Sequence, residues 1–425
     1  MSLSYIADSA ERLVYRVAGL PIALRALLGE PVADPLRAAF VRRYWHPQGA
    51  LEWSELLAGL VLWPIALLVG CAWFTWRNGA AIRERYGKSL PSQVREQFEL
   101  YFAAGVLPPW YYIFSLYDDG TRRAPSFIER FETKTCYFRL LKRRKGTPLN
   151  DKSRFASFCA EHGIRCVPTI MSLAGASPRR PLPDCDLFVK PTAGRGGRGA
   201  ERWDRAGPSS FRGPPGKPLS GEDLLARLVE RSRECPLLVQ PRLTPHRDLL
   251  PLTAGALPTL RVLTCLDARG APEVIAAMMR TSFGSNRTVD NLHAGGIGAL
   301  IELSSGTLSR ASNLGADAEL GWFSAHPDTG ASIEGHVVPC WDQVKASALA
   351  AHRQFDDRVV IGWDIAVLDD GPVFIEGNGN PDLDILQRFM RVGLREHRFA
   401  GLLAHHLQQR GAVPAGRCRP EAISH

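Results

Sequence analysis

Residues 359–387 read VVIGWDIAVLDDGPVFIEGNGNPDLDILQ. Two β-rich runs flank a DDG turn at 369–371, which predicts a β-hairpin. The polar residues inside the hairpin are Asp364, Glu376 and Asn378. Glu376 and Asn378 are two residues apart and therefore point to one face of the sheet. Pairing across the turn directs Asp364 to the same face, so the hairpin brings three oxygen-bearing side chains together.

These three side chains form a candidate metal site. Ile, Trp, Val and Phe residues surround the two carboxylates, and like charges on one buried face need a cation. Two carboxylates and an amide are oxygen ligands that suit Mg²⁺ bridging nucleotide phosphates. The alternative is a set of ordinary solvent-facing strand residues. The apolar surroundings favour the metal site.

A second feature, DLFVKPTAGRGGRGAERW, occupies residues 186–203. A buried strand ends there at Lys190. Four glycines follow it: Gly194, Gly196, Gly197 and Gly199. A glycine loop after a strand lets backbone N–H groups approach phosphate oxygens, and the lysine adds a positive charge. The string GRGGRG matches G-x-G-x-x-G, but Gly and Pro stand where the helix of a dinucleotide-binding fold must begin. We therefore expect a hairpin lid over phosphates, with a mobile glycine loop as the alternative.

Two arginines lie on neighbouring predicted strands within TLRVLTCLDARGAPEVIAAMMR, residues 259–280. Arg261 and Arg280 are costly to bury without anions. Both are suited to bidentate bonds with a carboxylate or a phosphate. They are candidate ligands for a charged substrate.

The N-terminal part contains an uncharged apolar run of 21 residues, 56–76, with tryptophans at both ends. Its length matches the hydrocarbon core of a bilayer. Pro64 near its middle and arginines on both flanks favour a helix–Pro–helix dip into one leaflet over a full crossing. A helix buried in a soluble domain is the third possibility. Residues 13–29 have the pattern of an interfacial helix.

Composition limits the function further. The chain has 425 residues, with 52 Lys and Arg against 43 Asp and Glu, and 45% of its residues are hydrophobic. The basic excess has no nucleic-acid signature, so we expect phosphorylated ligands or anionic lipid as partners and no nucleic acid. The nine cysteines are scattered without zinc spacing, which indicates reduced thiols in a cytosolic compartment.

The ordered set of motifs resembles the ATP-grasp superfamily over roughly residues 150–400. It consists of the helix with Lys152, the VKP motif with its glycine loop, the LVQ linker and the D…E-x-N hairpin. More narrowly, TLRV, the AAMMR arginine, DN..AGG and GWDIA…IEGNGNPD resemble the sugar-transfer-associated ATP-grasp branch, which is related to α-L-glutamate ligases. The resemblance implies an α+β ATP-grasp fold, in which two α/β subdomains clasp ATP, preceded by a helical, membrane-associated region.

The resemblance also implies roles for individual residues. Lys152 and Lys190 would hold the phosphates of ATP under the lid of Gly194, Gly196, Gly197 and Gly199. Gln240 and Pro241 would border the adenine. Asp364, Glu376 and Asn378 would bind Mg²⁺, Arg261 and Arg280 would act on the acceptor carboxylate or the transferred phosphate, and Asp290 and Asn291 would contact the substrate.

The resulting hypothesis is a carboxylate–amine ligase that uses ATP and Mg²⁺ and acts on a cell-envelope sugar, a lipid-linked precursor or a peptide. The alternatives are a phosphotransferase that acts on a hydroxyl and a nucleotide-binding scaffold without turnover. We expect a membrane-associated region at 1–90, a helical segment at 91–150 and ATP-grasp subdomains at 151–240 and 241–410. The expected location is the cytoplasmic face of the inner membrane, and the oligomeric state stays open.

Overall fold

The computed structural model describes residues 3–32, 34–118, 121–142, 147–176, 178, 180–193, 196–213, 217–315 and 321–412. The described chain has an N-terminal helical region followed by two antiparallel sheets with flanking helices. The cysteines in these ranges form no disulfide. The two sheets and their helices, from residue 151 onward, are called the ATP-grasp part. A helical region precedes it, as expected from the sequence.

The helical region forms because long apolar stretches alternate with capping and turn residues. Its helices are α1 (Leu3–Leu27), α2 (Pro35–Tyr44), α3 (Ala50–Tyr86), α4 (Leu90–Ala104), α5 (Pro108–Ile113), α6 (Arg130–Glu132), the π-helical turn Thr133–Tyr137 and α7 (Phe138–Leu140). Asp34 and Ser89 cap α2 and α4 through their side chains, and Gly87 and Gly105 end α3 and α4 with left-handed backbone.

The break expected at Pro64 is absent. α3 is one continuous helix of 37 residues that contains Pro64. Helices α1, α4 and α5 pack along α3, and such packing stabilises a helix in which proline removes one hydrogen bond. The interfacial position expected for residues 13–29 is also wrong, because Val17, Leu20 and Ala23 of α1 are buried in the protein core.

The first sheet has the strand order β1-β6-β2-β3-β4-β5. Helix α9 (Gly221–Glu234) packs on it, whereas the buried residues of α8 (Lys152–Glu161) lie in the core of the second sheet. The strands of the first sheet are β1 (Met171–Leu173), β2 (Leu187–Pro191), β3 (Glu201–Gly207), β4 (Ser210–Arg212), β5 (Leu219–Ser220) and β6 (Leu237–Pro241). Strands β2 and β3 pair as an antiparallel hairpin, with Leu187 opposite Trp203. The glycine loop therefore connects two paired strands, as the sequence predicts.

The second sheet has the order β11-β10-β9-β8-β7-β12-β13. Its strands are β7 (Thr259–Leu266), β8 (Pro272–Thr281), β9 (Ile297–Ile301), β10 (Leu308–Ser312), β11 (Trp322–Phe323), β12 (Val360–Leu368) and β13 (Gly371–Asn378). Helix α10 (Trp341–Gln354) packs on one face, and α11 (Leu383–Met390) and α12 (Arg398–Gln409) follow the last strand. Leu368 pairs with Gly371, which confirms the hairpin with its turn at Asp369 and Asp370. The predicted domain boundaries stay predictions.

The helical region and the second sheet share one apolar core. Residues of α1 such as Leu20 pack in the same cluster as Leu263 and Met278 of the sheet and Phe399 of α12. Buried ion pairs add to this junction, because Arg395 contacts both Asp34 and Glu132. The helical region is therefore fastened to the part of the chain that follows the β12–β13 hairpin.

Candidate active site

A cavity of about 390 Å³ lies between the two sheets. The first sheet contributes Lys190 and Gln240 to its walls, and the second contributes Arg280, Asp364 and Glu376. The other predicted residues that line it are Lys152, Gly196, Gly197, Pro241, Asp290 and Asn291. Gly199, Arg261 and Asn378 adjoin it, and Gly194 lies outside the described residues.

Two lysines face the acidic end of the cavity. Lys190 ends β2 and is buried, so desolvation lowers its pKa to about 8 against the opposing attraction of Glu376. Lys152 begins α8, where Asp151 caps the helix, and its Nζ lies 3.7 Å from Oε2 of Glu376. A lysine in a first helical turn is disfavoured by the helix dipole. Its position beside a carboxylate gives it an electrostatic partner.

The glycine loop needs glycine for two different reasons. Gly196, Gly197 and Gly199 have φ values of 71°, 71° and 74°, in the left-handed region that other residues rarely adopt. A Cβ atom at Gly197 would also lie 2.8 Å from the side chain of Val289. The glycine loop thus approaches the segment between β8 and β9 more closely than a side chain at Gly197 would allow.

Gln240 and Pro241 stand at the end of β6, where the chain leaves the first sheet. Gln240 is buried and pairs with Phe188 of β2. Both residues line the cavity. Their contact with adenine stays a prediction.

The hairpin places its polar side chains as the sequence predicts. Asp364 and Glu376 are directly opposed in the β12–β13 register. Nδ2 of Asn378 lies 3.5 Å from Oε1 of Glu376, so the two side chains are neighbours on one face. Asp364 is buried, whereas Glu376 and Asn378 are partly exposed. The three oxygen-bearing groups therefore adjoin one another and Lys190.

Asp364 is paired with both predicted arginines. Arg261 lies opposite it on β7 and donates from Nε at 2.5 Å and from Nη2 at 3.2 Å. Nη2 of Arg280 lies 3.1 Å from Oδ2 of Asp364. Burial alone would raise the pKa of Asp364, but the two guanidinium groups outweigh it and hold the pKa at about 2.

A second carboxylate, Asp290, lies on the other side of Arg280. Nε of Arg280 is 3.6 Å from Oδ2 of Asp290, and Thr259 accepts from Arg280 and donates to Asp290. Burial raises the pKa of Asp290, and Arg280 opposes the rise. Within the described residues, Nε of Arg280 makes no hydrogen bond, and the carboxylate of Asp290 at 3.6 Å is its ion-pair partner.

Asn291 has a structural contact. Its Oδ1 accepts from the backbone N–H of His293 at 2.8 Å and caps the short turn Leu292–Ala294. This turn leads into Gly295 and Gly296, at the start of β9. Substrate contact by Asn291 stays a prediction.

The donor set fits Mg²⁺. Among the described residues, no cluster of three or more His, Cys, Asp or Glu side chains is arranged for a metal. The hairpin instead offers two carboxylates and an amide, a composition that Mg²⁺ accepts together with phosphate oxygens and water. Glu376 and Asn378 are neighbours and partly exposed, whereas Asp364 is buried and paired with Arg261 and Arg280, so it would have to give up an arginine contact to bind a metal.

Sequence reasoning missed several cavity arginines and the support of the hairpin end. Four further arginines line the cavity: Arg198, Arg202, Arg242 and Arg287. Lys134 and Arg130 of the helical region bind Asp382, four residues after Asn378, with N–O distances of 2.8 and 2.5 Å. The only signal for this contact was the acidic residue in GNGNPD, which gives no indication of its distant partner.

Comparison with solved structures finds low-scoring matches to a ligase and two synthetases. D-Alanine–D-alanine ligase from Bacillus anthracis complexed with ATP is 12% identical with a TM-score of 0.33, and the match covers 62% of this chain and 66% of that one. D-Alanyl-alanine synthetase A from Vibrio cholerae is 12% identical with a TM-score of 0.37, at 62% and 65% coverage. An ADP complex of N5-carboxyaminoimidazole ribonucleotide synthetase is 9% identical with a TM-score of 0.31, at 56% and 46% coverage.

Comparison with curated proteins gives no match. A comparison with protein families gives a specific result. Residues 132–399 match the sugar-transfer associated ATP-grasp family. This range includes the glycine loop, the arginines of β7 and β8 and the β12–β13 hairpin. With well over half of its length matched, the chain belongs to the sugar-transfer associated ATP-grasp family.

Proposed function

We propose that the protein is an ATP- and Mg²⁺-dependent ligase that joins a carboxylate to an amine through an acyl phosphate. The observation that carries the proposal is the charge arrangement of the cavity. Lys152 and Lys190 face Glu376, and Arg280 lies buried between Asp364 and Asp290. Seven Lys and Arg side chains line the cavity against three Asp and Glu side chains. This excess of positive charge matches a triphosphate and an anionic acceptor better than an uncharged ligand.

The chain's side chains would act mainly by positioning and charge neutralisation. Lys152 and Lys190 would hold the phosphates beneath the glycine loop. Bound Mg²⁺ would neutralise phosphate charge and would be held by Glu376 and Asn378, with Asp364 as third ligand.

Arg261 and Arg280 would exchange Asp364 for a substrate anion. With Asp364 serving as a ligand of Mg²⁺, the two guanidinium groups would be available to hold the acceptor carboxylate or the transferred phosphoryl group. The carboxylate oxygen attacks the γ-phosphorus and ADP leaves. The amine next attacks the acyl carbon, phosphate leaves, and the amine nitrogen loses a proton. Asp290 would fix Arg280 during both steps.

We also propose a membrane location for the enzyme and a substrate that fits this location. One helix, α3, is long and apolar enough to span a membrane by length and composition. A membrane-associated enzyme at the cytoplasmic face of the inner membrane would suit a cell-envelope sugar, a lipid-linked precursor or a peptide as substrate. The partner molecules would then be small or lipid-linked, with no nucleic acid.

Product analysis tests the reaction type. The purified chain is incubated with Mg-ATP and a cell-envelope extract, with and without hydroxylamine, which traps acyl phosphates as hydroxamates. A ligase yields ADP, phosphate and a hydroxamate. A phosphorylated product with no phosphate release would instead identify a phosphotransferase, and no ADP formation with any extract would identify a scaffold.

Two variants connect the reaction to the site. We expect Glu376→Ala to abolish ADP formation, because it removes a metal ligand and the partner of Lys152. Glu230→Ala removes an exposed carboxylate on α9, which pairs with Arg233 in the same helix, and should leave ADP formation unchanged. Full activity of the Glu376→Ala variant would refute the site assignment.

A further inference from the structure

The outer face of α3 is a large exposed apolar surface. Between residues 56 and 76 the helix carries no charge. Its exposed large side chains there are Leu57, Val61, Leu62, Ile65, Leu68, Val69, Trp73 and Trp76. Twenty helical residues extend about 30 Å. A surface of this kind on a folded protein indicates a partner.

The surface continues onto α4. Phe102 is 49% exposed, and its ring lies 5.8 Å from that of Trp63 on α3. Trp73 and Trp76 are adjacent, with ring centroids 5.2 Å apart. We call this continuous apolar area, formed by the exposed side chains of residues 57–76 and Phe102, the α3 face.

The opposite side of α3 is occupied by protein, near the middle of the apolar stretch. Gly70 packs against Pro108 of α5, and Thr75 bonds with Gln97 of α4. The same helix α5 contacts the ATP-grasp part, because Ile113 accepts a hydrogen bond from Arg388 of α11. A bilayer surrounding α3 would therefore have to surround part of the ATP-grasp domain as well.

Charged groups beside α3 also oppose a full crossing. Arg95 and Glu99 of α4 form an exposed ion pair with an N–O distance of 3.5 Å. They flank Gln97, which bonds Thr75 inside the apolar stretch. In a spanning helix this pair would face hydrocarbon, where charges are costly.

Net positive charge stands at both ends of the α3 face. At one end, four arginines pair with the two carboxylates of Glu52 and Glu55, and among them Arg139 is the most exposed: Arg12, Arg16, Arg43 and Arg139. At the other end Arg77, Arg83 and Arg85 are exposed. A spanning helix concentrates positive charge at one end, whereas a helix lying along an anionic leaflet meets negative headgroups at both.

We infer that α3 lies in the plane of one leaflet of an anionic membrane, with the α3 face in the acyl-chain boundary and its inner side on the protein. The helix then anchors the chain without crossing the bilayer. This placement holds the ATP-grasp part at the same membrane surface as α3. The inference does not depend on the reaction type proposed above.

Vesicle flotation tests the surface. The purified full chain is mixed with vesicles of phosphatidylcholine, with and without phosphatidylglycerol, and floated in a density gradient. We expect binding to the anionic vesicles, and Ile65→Glu/Val69→Glu should lower the partition coefficient by about tenfold or more. The matched control, Val337→Glu/Val392→Glu, alters two residues of the ATP-grasp part that are 56% and 47% exposed, and should bind as the unaltered chain does.

Two results of the flotation experiment would refute this placement of α3. Flotation of Ile65→Glu/Val69→Glu equal to that of the unaltered chain would refute the proposal, provided that circular dichroism shows both folded. A detergent-free dimer that does not float, and that the same substitutions dissociate, would identify a second copy as the occupant and also refute it.

Sided labelling separates the in-plane helix from a span. Cysteines are introduced at the two ends of α3, as Gln48→Cys and Glu84→Cys, in the full chain expressed in bacteria. A membrane-impermeant maleimide is added to spheroplasts or to inverted vesicles, and mass spectrometry identifies the labelled peptides. We expect both positions to react in inverted vesicles and neither in spheroplasts. Labelling of one end from each side would overturn the in-plane arrangement.

Discussion

At the scale of single residues, Lys190 combines a binding role with a cost to stability. Its side chain is buried at the end of β2, and burial lowers its pKa to about 8. The unfolded chain, with an ordinary lysine pKa near 10.4, binds more protons between those values. Stability therefore rises with pH from about 8 to about 10, and a charged Lys190 destabilises the fold at neutral pH.

We predict that Lys190→Met stabilises the protein by about 1–3 kcal/mol at pH 7 and abolishes ATP binding. The neutral side chain avoids desolvation of the ammonium group but cannot bind phosphate. Urea unfolding and ATP titration measure the two effects. Lys217→Met, at an exposed position, is the control and should change neither. A less stable Lys190→Met variant would show that the attraction between Lys190 and Glu376 stabilises the fold by more than burial of the ammonium group destabilises it.

Asp364 differs from Lys190, because its charged form stabilises the native state: attraction to two arginines outweighs the cost of burying the carboxylate. We predict that Asp364→Asn destabilises the protein by about 3–5 kcal/mol at pH 7, since it removes the anion shared by Arg261 and Arg280. The carboxylate's contribution is present above pH 4 and is lost as pH falls towards 2, so the difference from the unaltered chain should shrink in that range.

Urea unfolding at pH 7 and below pH 4 measures this difference. Asp342→Asn, which changes an aspartate whose side chain is 91% exposed, serves as the control and should have little effect. Equal stability of Asp364→Asn and the unaltered chain at pH 7 would contradict the assigned ion pairs.

At the scale of elements, residues of the helical region bind the end of the β12–β13 hairpin. Lys134 lies in the π-helical turn Thr133–Tyr137, a local irregularity that often occurs at functional sites. It bonds Asp382 and the backbone carbonyl of Asn380, both just beyond Asn378. We infer that Lys134 positions the strand end that carries Glu376 and Asn378.

We predict that Lys134→Met raises the Mg²⁺ concentration needed for half-maximal ATP turnover about tenfold, with little loss of rate at saturating Mg²⁺. The metal ligands remain, but the segment that orients them is less restrained. Lys134→Arg should restore much of the affinity, because a guanidinium group can also bind Asp382. A change in maximal rate alone, with unchanged Mg²⁺ dependence, would argue against the positioning role.

Local patterns were sufficient to predict the hairpin and the glycine loop. The β-rich runs around Asp364 and Glu376 and the DDG turn between them predict β12 and β13 without reference to other parts of the chain. The arginine pairs on Asp364 depend on strand register, and Lys134 contacts Asn380 across a sequence separation of 246, so neither follows from local pattern. Pro64 was misleading because helix continuity there depends on packing from α1, α4 and α5.

At the scale of the whole molecule, the ATP-grasp part and the helical region share a buried junction. Their apolar residues form a common core that includes Leu20 and Phe399. Arg395 has a side chain only 9% exposed and joins the fully buried Glu132 to Asp34. Gln387 of α11 exchanges hydrogen bonds of 2.8 Å with the backbone N–H and carbonyl of Ile128. Unfolding of either part would expose these groups in the other.

We therefore predict that the full chain unfolds in one transition and that Arg395→Met destabilises both parts together. The variant leaves Glu132 buried with no guanidinium partner, which costs about 3–5 kcal/mol. Urea unfolding followed by tryptophan fluorescence and by loss of ATP binding should give coincident midpoints in the unaltered chain. In Arg395→Met both midpoints should fall equally, whereas Arg353→Met, at an exposed position on α10, should move neither. A variant in which ATP binding persists after the helical region has unfolded would show instead that the ATP-grasp part folds independently, and that the buried ion pairs only attach one stable unit to another.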